Sequence, residues 1–265
     1  MITYPVIDPI AFSLGPLHFR WYGFMYLLAF AVAWLLARSR IRRRARPLRG
    51  PRPWTNAEFD DLATWVFLGV IAGARIGYVL FYDLSMLLEN PLELFYIWRG
   101  GMSFHGGLLG VLLAFWYFAR KSRRGFLEIS DFIAPLIPPG VFFGRIGNFI
   151  NAEHWGTPSN LPWAMVFPGA GPLSRHPSQL YEALLEGLVL FAILWAVSSR
   201  ARSRGLVSGL FALLYGIFRC VMELVREPDA HIGYLAFGWL TIGQLLSAPL
   251  ILVGIWLIAR SRGSG

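Results

Sequence analysis

Gly144-Arg145-Ile146-Gly147-Asn148-Phe149-Ile150-Asn151-Ala152-Glu153-His154-Trp155-Gly156 closes an apolar run that begins near residue 127. An arginine, two asparagines, a glutamate and a histidine thus stand where a hydrophobic span meets water. Placing arginine at the centre of a membrane helix costs roughly 2.5–3.5 kcal/mol on insertion scales, so chains retain it where it serves a function. Arg145 offers five fixed N–H donors and a permanent charge, a geometry suited to phosphate. The phosphates nearest a membrane arginine are those of lipid head groups.

The composition of the whole chain agrees with a membrane protein. Hydrophobic residues make up 56% of the 265, aromatic residues 16% and charged residues only 15%, where a soluble domain carries about 25% charge. The charge is segregated. Of the 24 Lys and Arg residues, 17 fall in four clusters: eight arginines from Arg38 to Arg52, Arg120 to Arg124, Arg200 to Arg204, and Arg260 with Arg262. Each cluster follows an apolar run, as juxtamembrane anchors do, so the net charge of +9 is not read as a nucleic-acid surface. The single cysteine, Cys220, excludes an intrachain disulfide. Met1 to Phe12 lacks a basic segment and is not expected to be a cleaved signal peptide.

The pattern predicts an all-α membrane protein with seven transmembrane helices, at about residues 20–39, 60–82, 103–120, 127–150, 178–199, 205–226 and 239–260. The basic clusters follow the first, third, fifth and seventh spans. The positive-inside rule then puts the N-terminus outside and the C-terminus in the cytoplasm, and an odd number of spans agrees with that. The whole chain, 1–265, is expected to be one polytopic domain, with a short interfacial arm at 83–102 and a small periplasmic head at 151–177 rich in proline and glycine. Pro91, Leu92, Leu94, Phe95, Tyr96 and Trp98 suit the interface. Gly69, Gly73 and Gly77 in the second span, and Gly106 and Gly110 in the third, recur at a spacing that predicts close helix packing. Pro135, Pro138 and Pro139 should break or bend the fourth span. Asp131 reads as a helix cap or packing partner. No internal repeat is visible, unlike many transporters.

Seven arginines lie outside the clusters: Arg20, Arg75, Arg99, Arg145, Arg175, Arg219 and Arg226. Tyr215, Arg219, Glu223 and Arg226 are spaced four, four and three apart and share one helix face. Arg75, Tyr78 and Tyr82 share another, with Glu182 or Asp83 as possible partners for Arg75. Ser178, Glu182 and Glu186 share a third. His105 opens the third span and Trp21-Tyr22-Gly23 opens the first. Under the assigned orientation these groups converge on the outer leaflet. Two arginines there suit an anionic phospholipid, and they would stabilise a phosphate as it leaves. The chain holds no Gly-x-Ser-x-Gly elbow and no zinc spacing. A nucleophile would therefore arrive with a second substrate, and no metal or organic cofactor is called for. The alternatives are a transporter or flippase for an anionic phospholipid, or a lipid-binding scaffold without turnover.

The residues also resemble a known family. Gly144, Arg145, Gly147, Asn148, Phe149, Asn151, Glu153 and Gly156 match the fixed positions of the prolipoprotein diacylglyceryl transferase signature. Gly101 to Gly107, Arg175 to Glu182, His18 to Gly23 and Tyr215 to Arg219 resemble further motifs of that family, in family order. The resemblance implies transfer of the diacylglyceryl group of phosphatidylglycerol to the lipobox cysteine of a lipoprotein precursor, a step of lipoprotein biosynthesis at the outer face of the bacterial plasma membrane. It implies roles for Arg145 and Arg219 in lipid binding and catalysis and implicates Tyr22, His105, Asn148, Glu153 and Gly156 as well. His105 is taken as a catalytic candidate, and Tyr22, Asn148, Glu153 and Gly156, with Glu223 from the helix-face spacing, as substrate-binding candidates. Its implied partners are phosphatidylglycerol, signal peptides of prolipoproteins and membrane lipids, with no nucleic acid. The base that takes the cysteine proton is left open between His105, water and Glu153.

Overall fold

In a computed structural model of the chain, residues 2–5, 7–15, 17–42, 53–85, 90–97, 100–200, 203–228 and 233–262 are described. Trp98, Arg99, Arg202 and the arginines from Arg43 to Arg52 lie outside the described residues. The chain divides into two compact units, one of Met1–Arg49 with Asp131–Gly265 and the other of Gly50–Ser130.

The larger unit opens with β1 (Ile2–Thr3) and a hairpin of β2 (Ile10–Leu14) and β3 (Leu17–Arg20), which runs directly into α1 (Trp21–Arg42). Its other elements are the polypeptide from Asp131 through α5 (Ile137–Ile150), β4 (Met165–Val166), the compound helix α6 (Ser178–Glu182) and α7 (Leu190–Ser198), α8 (Leu206–Glu223) and α9 (Ile242–Arg262). A π-helical segment, Ala183–Val189, joins α6 to α7. The smaller unit holds α2 (Asn56–Tyr82), a 3₁₀ turn (Pro91–Phe95) and α3 (Phe104–Ser122). The helix α4 (Phe126–Ile133) continues from this unit into the larger one.

Among the described residues, six helical segments are long and apolar enough to cross a membrane: Trp21–Arg42, Asn56–Tyr82, Phe126–Ile150, Ser178–Ser198, Leu206–Glu223 and Ile242–Arg262. These coincide with six of the seven expected spans. The other, α3, is a helix of 19 residues, but His105, three glycines, Arg120 and Lys121 dilute its apolar character. Leu27, Phe30 and Leu35 on α1 and Leu252, Val253 and Trp256 on α9 stay exposed. Such surfaces suit hydrocarbon and would be aggregation-prone in water.

Local chemistry explains the element boundaries. Thr55 caps α2, its hydroxyl accepting from the Glu58 N–H at 3.2 Å while Glu58 Oε2 accepts from the Thr55 N–H at 3.1 Å, a reciprocal capping box. Ser103 caps α3. The glycines whose spacing predicts close packing meet one another across α2 and α3: a Cβ on Gly77 would lie 2.7 Å from the Gly106 Cα, and one on Gly73 2.9 Å from the Gly110 Cα. Pro135 sits in a 3₁₀ turn (Ala134–Leu136) that interrupts the fourth span, and Pro138 and Pro139 fall in the first turn of α5, where the missing N–H groups leave no orphaned acceptor. The interior packs Ala134, Leu190, Leu194 and Val207 against Leu210, Phe211, Leu214, Tyr215 and Phe218.

Asp131 does act as a cap. Its buried carboxylate accepts from the N–H of Gly205 at 2.6 Å and from the N–H and hydroxyl of Ser208 at 2.8 and 2.6 Å, holding the start of α8. Replacing Asp131 by Ala orphans these donors in an apolar setting. Thermal unfolding of the detergent-solubilised variant should show a loss of about 1–3 kcal/mol of stability.

Candidate active site

The site belongs to the larger unit and is built on α1, α5, the compound helix and α8. Arg145 and Asn148 lie three residues apart on α5 and share a face. The C-terminal end of that helix is fixed by Tyr4, whose buried hydroxyl bonds the carbonyls of Phe149 and Ile150 at 2.5 and 2.9 Å. The N-terminal segment is held in turn by β1, which pairs in parallel with β4 (Ile2 with Met165, Thr3 with Val166). The N-terminal segment and the head strand β4 thus brace the end of the helix that carries Arg145.

Arg145 points at two carboxylates on the compound helix. Its Nε lies 2.6 Å from Glu182 Oε2, and its Nη2 3.7 Å from Glu186 Oε2. Arg219, from α8, reaches the same pair, with Nη1 3.6 Å from Glu182 Oε2 and 3.8 Å from Glu186 Oε1. Two guanidinium groups from different helices therefore meet over one pair of carboxylates. Glu182 and Glu186 are 1% and 0% exposed, so water does not screen them. The π-helical turn begins directly after Glu182 and contains Glu186, and such irregularities recur at functional sites. Arg219 also pairs with Glu223 one turn further along α8, and Arg226 Nη1 lies 3.8 Å from the same Glu223 oxygen. Gly243 of α9 leaves room for that carboxylate: a Cβ there would fall 2.6 Å from Oε1. With all six groups ionised, three guanidiniums offset three carboxylates.

The offset is electrostatic rather than a closed hydrogen-bond network. No carboxylate oxygen of Glu182 or Glu186 has a hydrogen-bond partner of good geometry among the described residues, and Arg219 Nη1 is a buried donor without an acceptor. A buried guanidinium nitrogen left in this way carries a substantial desolvation cost and is available to an incoming oxyanion.

The remaining predicted residues surround this centre or shape it. Asn148 Nδ2 and Asn151 Nδ2 donate to the Glu153 carboxylate at 3.4 and 3.2 Å, and the Glu153 carbonyl accepts from Gln179 Nε2 at 2.6 Å. Asn148 and Glu153 are thus tied to the first turn of the helix that carries Glu182. Tyr22 packs against Gly147, where a Cβ would lie 2.9 Å from its ring, and its hydroxyl is 3.2 Å from that of Tyr26. Arg226 Nη2 lies 3.3 Å from His154 Nδ1, within hydrogen-bond reach. Gly156 stands where three backbone segments cross. Its N–H donates to the His176 carbonyl at 2.9 Å, it bridges Arg226, and a Cβ there would lie 2.7 Å from the His176 Cβ. Burial pushes the His176 imidazole below its ordinary pKa. Arg175 braces the head, donating to Glu227 Oε2 at 2.8 Å and to the Gly156 carbonyl at 3.2 Å.

A matching sequence model, that of the prolipoprotein diacylglyceryl transferases, covers residues 9–260. The chain belongs to that family. A relative from Nitratidesulfovibrio vulgaris strain DP4 is 62% identical over 265 residues, covering 100% of this chain and 98% of its own. One from Solidesulfovibrio magneticus is 58% identical over 262 residues, 98% and 97% of the two chains. One from Pseudomonas aeruginosa PAO1 is 56% identical over 258 residues, 97% and 95%. All three are named phosphatidylglycerol–prolipoprotein diacylglyceryl transferase. The chain is accordingly a multi-pass membrane transferase.

In this transferase two predicted residues belong to the smaller unit. His105 lies exposed in the first turn of α3, its ring edge-on to Phe104 at a centroid distance of 5.6 Å. Arg75 is buried and donates to the carbonyls of Glu93, Leu94, Gly100 and Gly101, at 2.5, 3.2, 2.6 and 3.1 Å. Glu182, one of the partners its spacing suggested, instead faces Arg145 and Arg219. The expected site set of Arg145, Arg219, Tyr22, Asn148, Glu153, Gly156 and Glu223 left out Glu182 and Glu186. The signal that marks them was present: both lie on one predicted face with Ser178, directly after the Arg175-His176-Pro177 motif.

Gly156 gives a direct check of this construction. Gly156→Ala drives a methyl group into His176 and the Val225 carbonyl and should cost about 1–3 kcal/mol. Thermal unfolding should show that loss together with reduced activity, whereas Gly169→Ala in the same head meets no neighbour within 4 Å and tests the contribution of backbone strain alone.

Proposed function

We propose that this protein transfers the diacylglyceryl group of phosphatidylglycerol to the thiol of the lipobox cysteine of a prolipoprotein, forming a thioether and releasing glycerol phosphate. The observation that carries the reading is the meeting of Arg145 and Arg219 over Glu182 and Glu186, with a buried Arg219 nitrogen that has no acceptor among the described residues. Two converging guanidiniums grip one phosphodiester and stabilise the charge that grows on it as it leaves. Relatives with more than half of their residues identical carry the corresponding name.

In this mechanism the thiolate sulfur attacks the glycerol carbon bonded to the phosphoester oxygen. The S–C bond forms, the C–O bond breaks, and its electron pair stays on the phosphate held by Arg145 and Arg219. A free thiol has a pKa near 8.5 and is only a few per cent ionised at neutral pH. His105 is assigned the thiol proton, on the match of its motif and its solvent exposure. Tyr22, Asn148, Glu153, Gly156 and Glu223 shape the substrate site. The protein works in the bacterial inner membrane with seven spans, its N-terminus and the 151–177 head outside and the site open to the outer leaflet. The positive-inside bias of the arginine clusters supports this orientation.

Purified protein, phosphatidylglycerol and a lipobox peptide, followed by mass spectrometry, should yield a diacylglyceryl adduct. Lipid movement between leaflets without an adduct would identify a flippase instead. Arg145→Ala should lower transfer at least a hundredfold in a protein that still folds; transfer near the unaltered rate would remove the clamp. His105→Gln should slow transfer most below the pKa of the thiol, where ionisation needs a base, and least above it. A loss equal at every pH would remove His105 from that role.

A further inference from the structure

Glu182 and Glu186 are the least exposed charged groups of the site, and they take no part in the reaction as written. A carboxylate beside a phosphate-binding arginine weakens anion binding, so their position calls for a reason. Unshielded guanidiniums repel one another strongly in a medium of low dielectric. Arg145 and Arg219 arrive from separate helices, and among the described residues these two carboxylates are the acidic groups within 4 Å of both. Their contacts lack hydrogen-bond geometry. The carboxylates therefore supply charge without saturating the guanidiniums, and Arg219 Nη1 keeps no acceptor among the described residues and can turn to phosphate. Gln179, one turn before Glu182 on the same helix, bonds the Glu153 carbonyl. The segment is thus registered against the Arg145–Gly156 stretch.

Building on the transfer reaction above, we propose that Glu182 and Glu186 are positioning residues that hold Arg145 and Arg219 side by side for one phosphate and keep the net positive charge of the pocket low enough for the phosphate product to leave. The lipid substrate carries one negative charge and the departing glycerol phosphate carries close to two. A pocket of uncompensated arginines would hold the product more firmly than the substrate. The balance of three guanidiniums and three carboxylates moderates that preference.

The test is steady-state kinetics of Glu182→Gln and Glu186→Gln against the unaltered protein, with thermal unfolding of each to establish that it is folded. Each Gln variant should lose at least tenfold in kcat with a KM for phosphatidylglycerol that is unchanged or lower, and should be inhibited more strongly by added glycerol phosphate. Glu182→Asp and Glu186→Asp, which keep the charge but retract it, should fall between the Gln variants and the unaltered protein. If a Gln variant does not fold, the Asp variant carries the test with the same split between kcat and KM. Folded variants with unaltered kcat would overturn the proposal, as would a raised KM at unaltered kcat, because that pattern marks direct substrate binding. Absence of adduct with the unaltered protein would instead overturn the transfer reaction itself.

Discussion

Arg145 and Arg219 approach the same buried carboxylates, and much of the larger unit serves that approach. Charges this deep are tolerated only when paired. The sharing of Glu182 and Glu186 lets two guanidiniums from different helices stand together without a ligand. Removing either partner of such a set leaves an uncompensated buried charge, so the cluster acts as a unit rather than as separate ion pairs.

The surrounding structure sets the geometry of that unit at several points. Tyr4 ties the end of α5, and the bond from Gln179 to the Glu153 carbonyl ties that end to the compound helix. Gly147 admits Tyr22, Gly156 lets the head backbone pass His176, and Gly243 makes room for Glu223. Each glycine replaces a side chain that would push an element of the site away. In the smaller unit, the buried Arg75 gathers four arm carbonyls near the start of α3, and that start carries His105.

The apolar runs, their basic ends and the glycine faces of α2 and α3 were legible in the sequence, because hydrocarbon length and close packing impose simple periodicities. So was the face of Tyr215, Arg219, Glu223 and Arg226, whose spacing survives intact on α8. The partners were less legible. Spacing put Glu182 and Glu186 on one face, yet it could not say whether Arg75 or the Arg145 and Arg219 pair would meet them, since that depends on helix placement. The π-helical turn after Glu182 has no proline or glycine signal at its start. The pairing of Ile2–Thr3 with Met165–Val166 involves two residues a side, too short for any alternation to be visible. The crowding around Gly156 arises from Val225 and His176, which are distant in the chain.

The most direct measurement is an experimental structure of the protein with phosphatidylglycerol bound. One lipid phosphate should lie within hydrogen-bond reach of both Arg145 and Arg219, with Glu182 and Glu186 behind the guanidiniums and away from the phosphate oxygens. A phosphate held by only one of the two arginines, or bound elsewhere with the four side chains still closed on one another, would contradict this arrangement.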